Sequence, residues 1–142
     1  MKKTLHSLLS VILALTIIVS ITACGETVET DALWEHAIYE ENTTFGNGAK
    51  TITVEVKAGE KSVTFTVHTD KDTVGAALFE HGLIDGDEGP FGLYMKVANG
   101  ITADYDIDQS YWAFNVNGEP SPTGVDQTTL EEGATYQLVY TK

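Results

Sequence analysis

The order of polar and apolar residues changes along this chain, and each change predicts a different element. Leu8 to Ile21 is an apolar run interrupted only by Ser10, Thr16 and Ser20. From Gly25 to Lys50 the chain turns polar and acidic, with Asn42-Thr43-Thr44 and Gly46-Asn47-Gly48 near its end. No period runs through this stretch, and it reads as a spacer. A flexible coil of that length reaches about 25–30 Å. Trp34, Ile38 and Tyr39 are unusual in a linker, and such residues would dock on a neighbouring domain as an extra strand.

Beyond Lys50 the period becomes two. Ile52, Val54 and Val56 alternate with Thr53 and Glu55; after Ala58-Gly59-Glu60-Lys61, Val63, Phe65 and Val67 alternate with Thr64 and Thr66. Two alternating runs joined by a glycine turn predict a hairpin with one buried face. Val74, Ala77, Leu78 and His81 then fall at helical spacing, with Asp72 placed to cap the start and Gly82 to end the helix.

Strands return in the second half. Leu93 to Val97 is one, and Tyr111 to Val116 is another, closed by Asn117-Gly118, a tight-turn pair. Pro120 and Pro122 exclude a regular central strand just after it. Tyr136, Leu138 and Tyr140 alternate to the end. The order strand, strand, helix, strand, strand, strand predicts an α+β, β-grasp-like single domain over residues 51–142, a mixed sheet with one crossing helix.

The first apolar run has a different meaning. Lys2 and Lys3 precede it, and Ile21-Thr22-Ala23-Cys24 follows it. That ending resembles the lipobox of bacterial lipoproteins, an aliphatic residue and two small ones before the cysteine. Residues 1–23 are therefore expected to be a cleaved lipoprotein signal peptide. Cys24 is the expected lipidation site, residues 24–50 the acidic spacer, and the mature chain a lipid-anchored protein facing outside the cytoplasm. Several acyl chains on one residue give a lasting anchor, which a single chain does not.

This assignment uses the only cysteine, so no disulfide, thiolate nucleophile or cysteine metal site is expected. The charge narrows the partners. Eight lysines and no arginine face 21 acids, and loss of Lys2 and Lys3 with the leader moves the formal charge from −13 to −15. Such a field repels nucleic acid and anionic headgroups. Without arginine there is no bidentate clamp for phosphate or carboxylate.

Metal chemistry finds little support. Asp104, Asp106 and Asp108 alternate like the start of a calcium loop, but Gln109 and Asn115 stand where glycine and glutamate are needed. Asp85, Asp87 and Glu88 lie beside Gly86 and Gly89 and read as a solvated turn. His36, His68 and His81 form no close pair at metal-ligand spacing. No metal site and no cofactor are expected. Catalysis is no better served: there is no glycine-flanked serine elbow, and Thr51 stands where a dinucleotide loop beginning at Gly46 needs its third glycine. The chain is expected not to be an enzyme.

The aromatics point elsewhere. In Tyr111-Trp112-Ala113-Phe114 the first and third residues face one side of a strand, the second and fourth the other. One face is core; the other leaves aromatic groups at the surface, joined by Phe91, Tyr94 and Tyr105. Tyrosine and tryptophan combine flat apolar area with a polar edge, which suits a large planar ligand or a protein partner.

Gly92-Leu93-Tyr94 leading to Val97 and Gly100, then Tyr111-Trp112, Gly124-Val125 and Glu132-Gly133-Ala134-Thr135-Tyr136 carry a resemblance. The stretch from Gly89 to Tyr140 resembles the C-terminal β-domain of the transcobalamin and intrinsic factor family. From Thr51 onward the chain is similar to bacterial lipoproteins that carry this domain alone. The resemblance implies a β-grasp that closes over cobalamin seated on a helical barrel, and no barrel is present here. It makes Leu93, Tyr94, Tyr111 and Trp112 the ligand-binding candidates. The resulting expectation is a non-enzymatic cell-surface lipoprotein that binds a soluble ligand, with a corrinoid as the named candidate. The alternative is a protein-interaction or adhesion module, or an accessory subunit of a membrane transport complex.

Overall fold

The computed structural model describes residues 26–142, with side chains from Glu29 onward. Cys24, the leader and the lipobox lie outside the described residues. Three short helices and nine strands are described, so the domain is rich in β-structure. No helix among the described residues is long and apolar enough to cross a membrane.

The hairpin read from the alternating runs is β2 (Lys50–Ala58) and β3 (Lys61–Thr69). They pair antiparallel with Val54 opposite Phe65 and Val56 opposite Val63. The last strand, β9 (Thr135–Thr141), returns to lie parallel to β2 and antiparallel to β7 (Tyr111–Val116). Ile52, Val54, Val56, Val63, Phe65, Val67, Tyr136 and Leu138 are all fully or almost fully buried. Period-two alternation puts them on one face, and burying that face holds the sheet together. Trp112 and Phe114 point the same way from β7: Trp112 packs edge-on to Tyr140 and Phe114 stacks near Tyr136. Two-residue β8 (Glu119–Pro120) closes this edge. Pro120 is tolerated there because an edge strand does not need every N–H.

The second half departs from a single sheet. β4 (Ile84–Gly89), β5 (Gly92–Ala98) and β6 (Ile101–Thr102) form a separate three-stranded antiparallel sheet. The Asp85, Asp87 and Glu88 cluster, expected as a turn, is strand β4 with a bulge between Asp85 and Gly86. Carboxylates alternating with glycine do not announce a strand; pairing with β5 makes one. Asp104, Asp106 and Asp108 belong to a single helical turn, α3 (Tyr105–Asp108), whose Asp104 side chain caps Asp106 N–H.

The predicted helix is α2 (Val74–Glu80), and it buries Val74, Ala77 and Leu78. Its cap is Thr73 rather than Asp72. Thr73 Oγ1 accepts from Ala76 N–H at 3.3 Å, while Asp72 pairs outward with Lys50.

Much of the stretch expected as a spacer packs against the domain. It holds helix α1 (Glu26–Trp34) and edge strand β1 (Thr43–Gly46), which lies parallel to β3. Trp34 is only 5% exposed, and its indole N–H donates to Ala58 O at 3.0 Å. Asn99, fully buried, grips the backbone of Tyr39 twice: Oδ1 accepts Tyr39 N–H at 3.0 Å and Nδ2 donates to Tyr39 O at 2.8 Å. Tyr39, Phe45 and Phe65 form a ring cluster with centroids 5.2–5.8 Å apart. The segment lacks a period because its apolar residues dock individually.

Candidate functional site

Where α2 meets the three-stranded sheet, the packing is incomplete. The segment Gly124–Leu130 straps the two together. Val74 N–H donates to Thr128 O at 3.0 Å and Gly75 N–H to Val125 O at 2.7 Å, so two free donors at the helix start are satisfied by this strap. On its other side, Asp126 Oδ2 accepts Leu93 N–H at 3.0 Å, and Gln127 Nε2 donates to Phe91 O at 2.9 Å. One short loop therefore fixes both the helix and the tip of the β4–β5 hairpin.

Two glycines permit this approach. A Cβ on Gly92, which has a φ of +98°, would collide with the Asp126 carboxylate, and one on Gly75 would stand 2.7 Å from Asp126 Cα. Any larger residue at either position would push the strap away.

Between the strapped elements lies a groove of about 480 Å³. Gly75, Ala76 and Phe79 of α2 form one wall, with Lys71 and Glu80 at its rim. Leu93 and Glu88 form the other, and Asp126 sits at the junction. The volume lies within the range of small-molecule sites, and the lining combines apolar walls with a few polar groups, as such sites do. Phe79 is 56% exposed, and Phe91, at the hairpin tip, is 90% exposed. Lys71 Nζ lies 3.7 Å from Glu80 Oε1. Asp126 Oδ1 is buried and finds no hydrogen-bond partner among the described residues.

The four residues carried over by resemblance do not all face the groove. Leu93 is in the groove wall, half-buried. Tyr94 follows it on β5 and so faces the opposite side, where Lys96 Nζ lies 5.8 Å from its ring centroid. Hydrogen bonds to Asp87 (2.8 Å) and then Asp104 (3.2 Å) hold Lys96 and raise its pKa well above the ordinary lysine value. Tyr111 is 42% exposed at the start of β7. Trp112 is 7% exposed and belongs to the core, its Nε1 buried without a partner among the described residues.

Sequence reasoning passed over Phe79, Lys71 and Asp126, and read Glu88 only as part of a solvated turn. Phe79 had a signal: it falls beside Leu78, out of phase with the apolar positions of the helix, and an aromatic out of phase is an exposed one. Asp126 had none, since a carboxylate in a loop reads as solvated. Among the described residues no three of His, Cys, Asp or Glu gather closely enough to hold a metal ion.

The family comparison falls on the part of the chain that holds this groove. A protein-family profile described as Domain of unknown function (DUF4430) matches residues 71–142. A crystal structure from Ruminococcus gnavus ATCC 29149, described provisionally as a metal binding protein, is 33% identical with a TM-score of 0.63. That match covers 66% of this chain and 97% of the other. Haptocorrin in complex with Cbi is 19% identical with a TM-score of 0.54, covering 69% of this chain and 26% of haptocorrin. At that identity the shared feature is the fold, and this chain spans about a quarter of the haptocorrin chain. No curated protein matches the sequence.

Proposed function

The chain belongs to the family described as a domain of unknown function, DUF4430, and from that premise we propose that it is a non-enzymatic binding protein for a soluble small molecule. The groove between α2 and β5 is the binding site, and a corrinoid is the named candidate ligand. The protein is anchored by lipid on Cys24 and faces outside the cytoplasm. The domain is a β-grasp, a reading supported by the β2–β3 hairpin, the following helix and the parallel return of β9 beside β2.

One observation carries the binding reading: an apolar groove with Phe79 left largely in solvent, inside the segment matched by the family. An aromatic ring exposed on the rim of a concave site has more to gain from a ligand than from water. The solved relatives add support, one described as metal binding and the other determined with Cbi. The order of charged, apolar and small residues before Cys24 supports the anchor.

A groove of about 480 Å³ holds only part of a corrinoid, so binding is expected no tighter than about micromolar, on the order of −8 kcal/mol. Calorimetric titration of cobalamin and cobinamide tests it. Leu93→Ala should weaken binding by roughly 1–3 kcal/mol, whereas Trp112→Ala should chiefly lower the melting temperature. No binding at millimolar corrinoid, with the fold intact, removes the corrinoid.

A second reading rests on Phe91, Ile107 and Tyr111, exposed apolar side chains that suit a protein partner. Cross-linking on intact cells that captures the same protein through each of these positions would favour it.

A further inference from the structure

We propose that the groove selects for positive charge: its ligand is a small molecule with a flat apolar body and a cationic group. This rests on the groove reading above and adds the charge of the ligand, which neither the fold nor the comparisons carry.

The groove has one lysine against three carboxylates. Lys71 is already engaged with Glu80 at 3.7 Å, and the two are about equally exposed. That leaves Glu88 and Asp126. Glu88 is exposed on β4 and makes no ion pair among the described residues. Asp126 keeps one oxygen on Leu93 N–H and, among the described residues, makes no ion pair and leaves its second oxygen unpartnered. The net field in the groove is therefore negative, and the −13 formal charge of the chain, with no arginine, adds to it at longer range.

The walls fix the rest of the ligand. Phe79 offers an exposed ring and Leu93 an aliphatic surface facing it across the groove. A flat ring laid between them buries apolar area and puts its substituent near Glu88 and Asp126. A cation there gains charge attraction, and it can also meet the face of Phe79. A neutral group gains only the apolar contact. An anion must lose water beside two carboxylates.

Three probes of one shape separate these cases: 2-naphthylmethylammonium, 2-naphthalenemethanol and 2-naphthoate. Each is titrated into the unlipidated chain from residue 24 onward, which contains the whole described core, and followed by amide chemical shifts. The expected order is cation, then neutral, then anion. At low salt the cation should bind roughly fivefold tighter than the neutral probe, an advantage that shrinks as salt is added. Shifts should centre on Ala76, Phe79, Glu88 and Leu93.

Two exposed substitutions sharpen the test. Glu88→Gln should reduce the preference for the cation, and Lys71→Gln, by freeing Glu80, should increase it. A purely structural role for these residues would not move the preference in opposite directions. Equal binding of all three probes in the groove would overturn the charge selection and leave the groove reading intact. The same holds for a cation that shifts Asp104 to Asp108 instead of the groove while the neutral probe stays in it. No shift from any probe would overturn both readings.

Discussion

The two sheets use the same kind of residue to opposite ends. In the six-stranded sheet, β2, β3 and β9 bury Ile52, Val54, Val56, Val63, Phe65, Val67, Tyr136 and Leu138 to 2% exposure or less. In the three-stranded sheet, Leu93 and Met95 are only partly covered, and Phe79 and Phe91 beside them are left in solvent. The first sheet packs its inward face with Trp34 of α1 and Val74, Ala77 and Leu78 of α2 into one core. The second meets α2 through a loop that touches both but does not fill the space between. Apolar area removed from water stabilises a fold; area held open on a fixed frame is available to a ligand. On the proposed reading, the part of the second sheet around Leu93 serves binding, while Ile84, Ala98 and Ile101 keep the rest of it in the core.

The sharpest way to break that division is to remove one phenylalanine from each region. Phe65→Ala should cost about 3–5 kcal/mol in chemical denaturation, because the ring is fully buried and touches Tyr39 and Phe45. Phe79→Ala should change stability by less than about 0.5 kcal/mol and weaken ligand binding instead. Similar losses of stability from both would erase the distinction.

The N-terminal segment belongs with the stable region. Trp34→Ala should lower stability by about 3 kcal/mol, since a buried indole and its bond to Ala58 O are lost together. A change below about 0.5 kcal/mol, measured by the same denaturation, would return residues 24–50 to the role of spacer.

The hairpin, α2 and β9 were legible because period two and period 3.6 are local properties of a chain. Which strands share a sheet is not local. Leu93–Val97 alternates as well as Val63–Val67 does, and only packing sends it to a second sheet. Trp34, Tyr39 and Phe45 stand five and six residues apart, a spacing that fits no regular element, so the segment reads as unstructured although each ring or backbone docks. Of the groove, Leu93 was reachable through resemblance. Asp126 was not, because its role is created by glycines at 75 and 92 that come close only in the fold. The resemblance ran along strands without regard to face, which is how Leu93 and Tyr94 came to be paired though they point to opposite sides.

A smaller effect concerns the C-terminus. Hydrogen bonds from Ser110 and then Lys142 hold the Asp108 carboxyl below its ordinary value of 3.8, and Asp108 in turn raises the Lys142 pKa. A folded value below the unfolded one means the contribution is present above the unfolded value and is lost as pH falls through the folded one. Acid titration followed by the Asp108 carboxyl chemical shift should show it titrating below its ordinary value, and Lys142→Gln should bring it back toward that value.

A ligand seated in the groove between α2 and β5 must perturb the backbone amides that line it. Amide chemical-shift mapping during titration with cobinamide tests it most directly. The expected result is a continuous set of shifts over Ala76, Phe79, Glu88, Leu93 and Asp126, with Tyr94 and Tyr111 unaffected. Shifts centred on Tyr94, Tyr105 and Tyr111, with the groove silent, would contradict it.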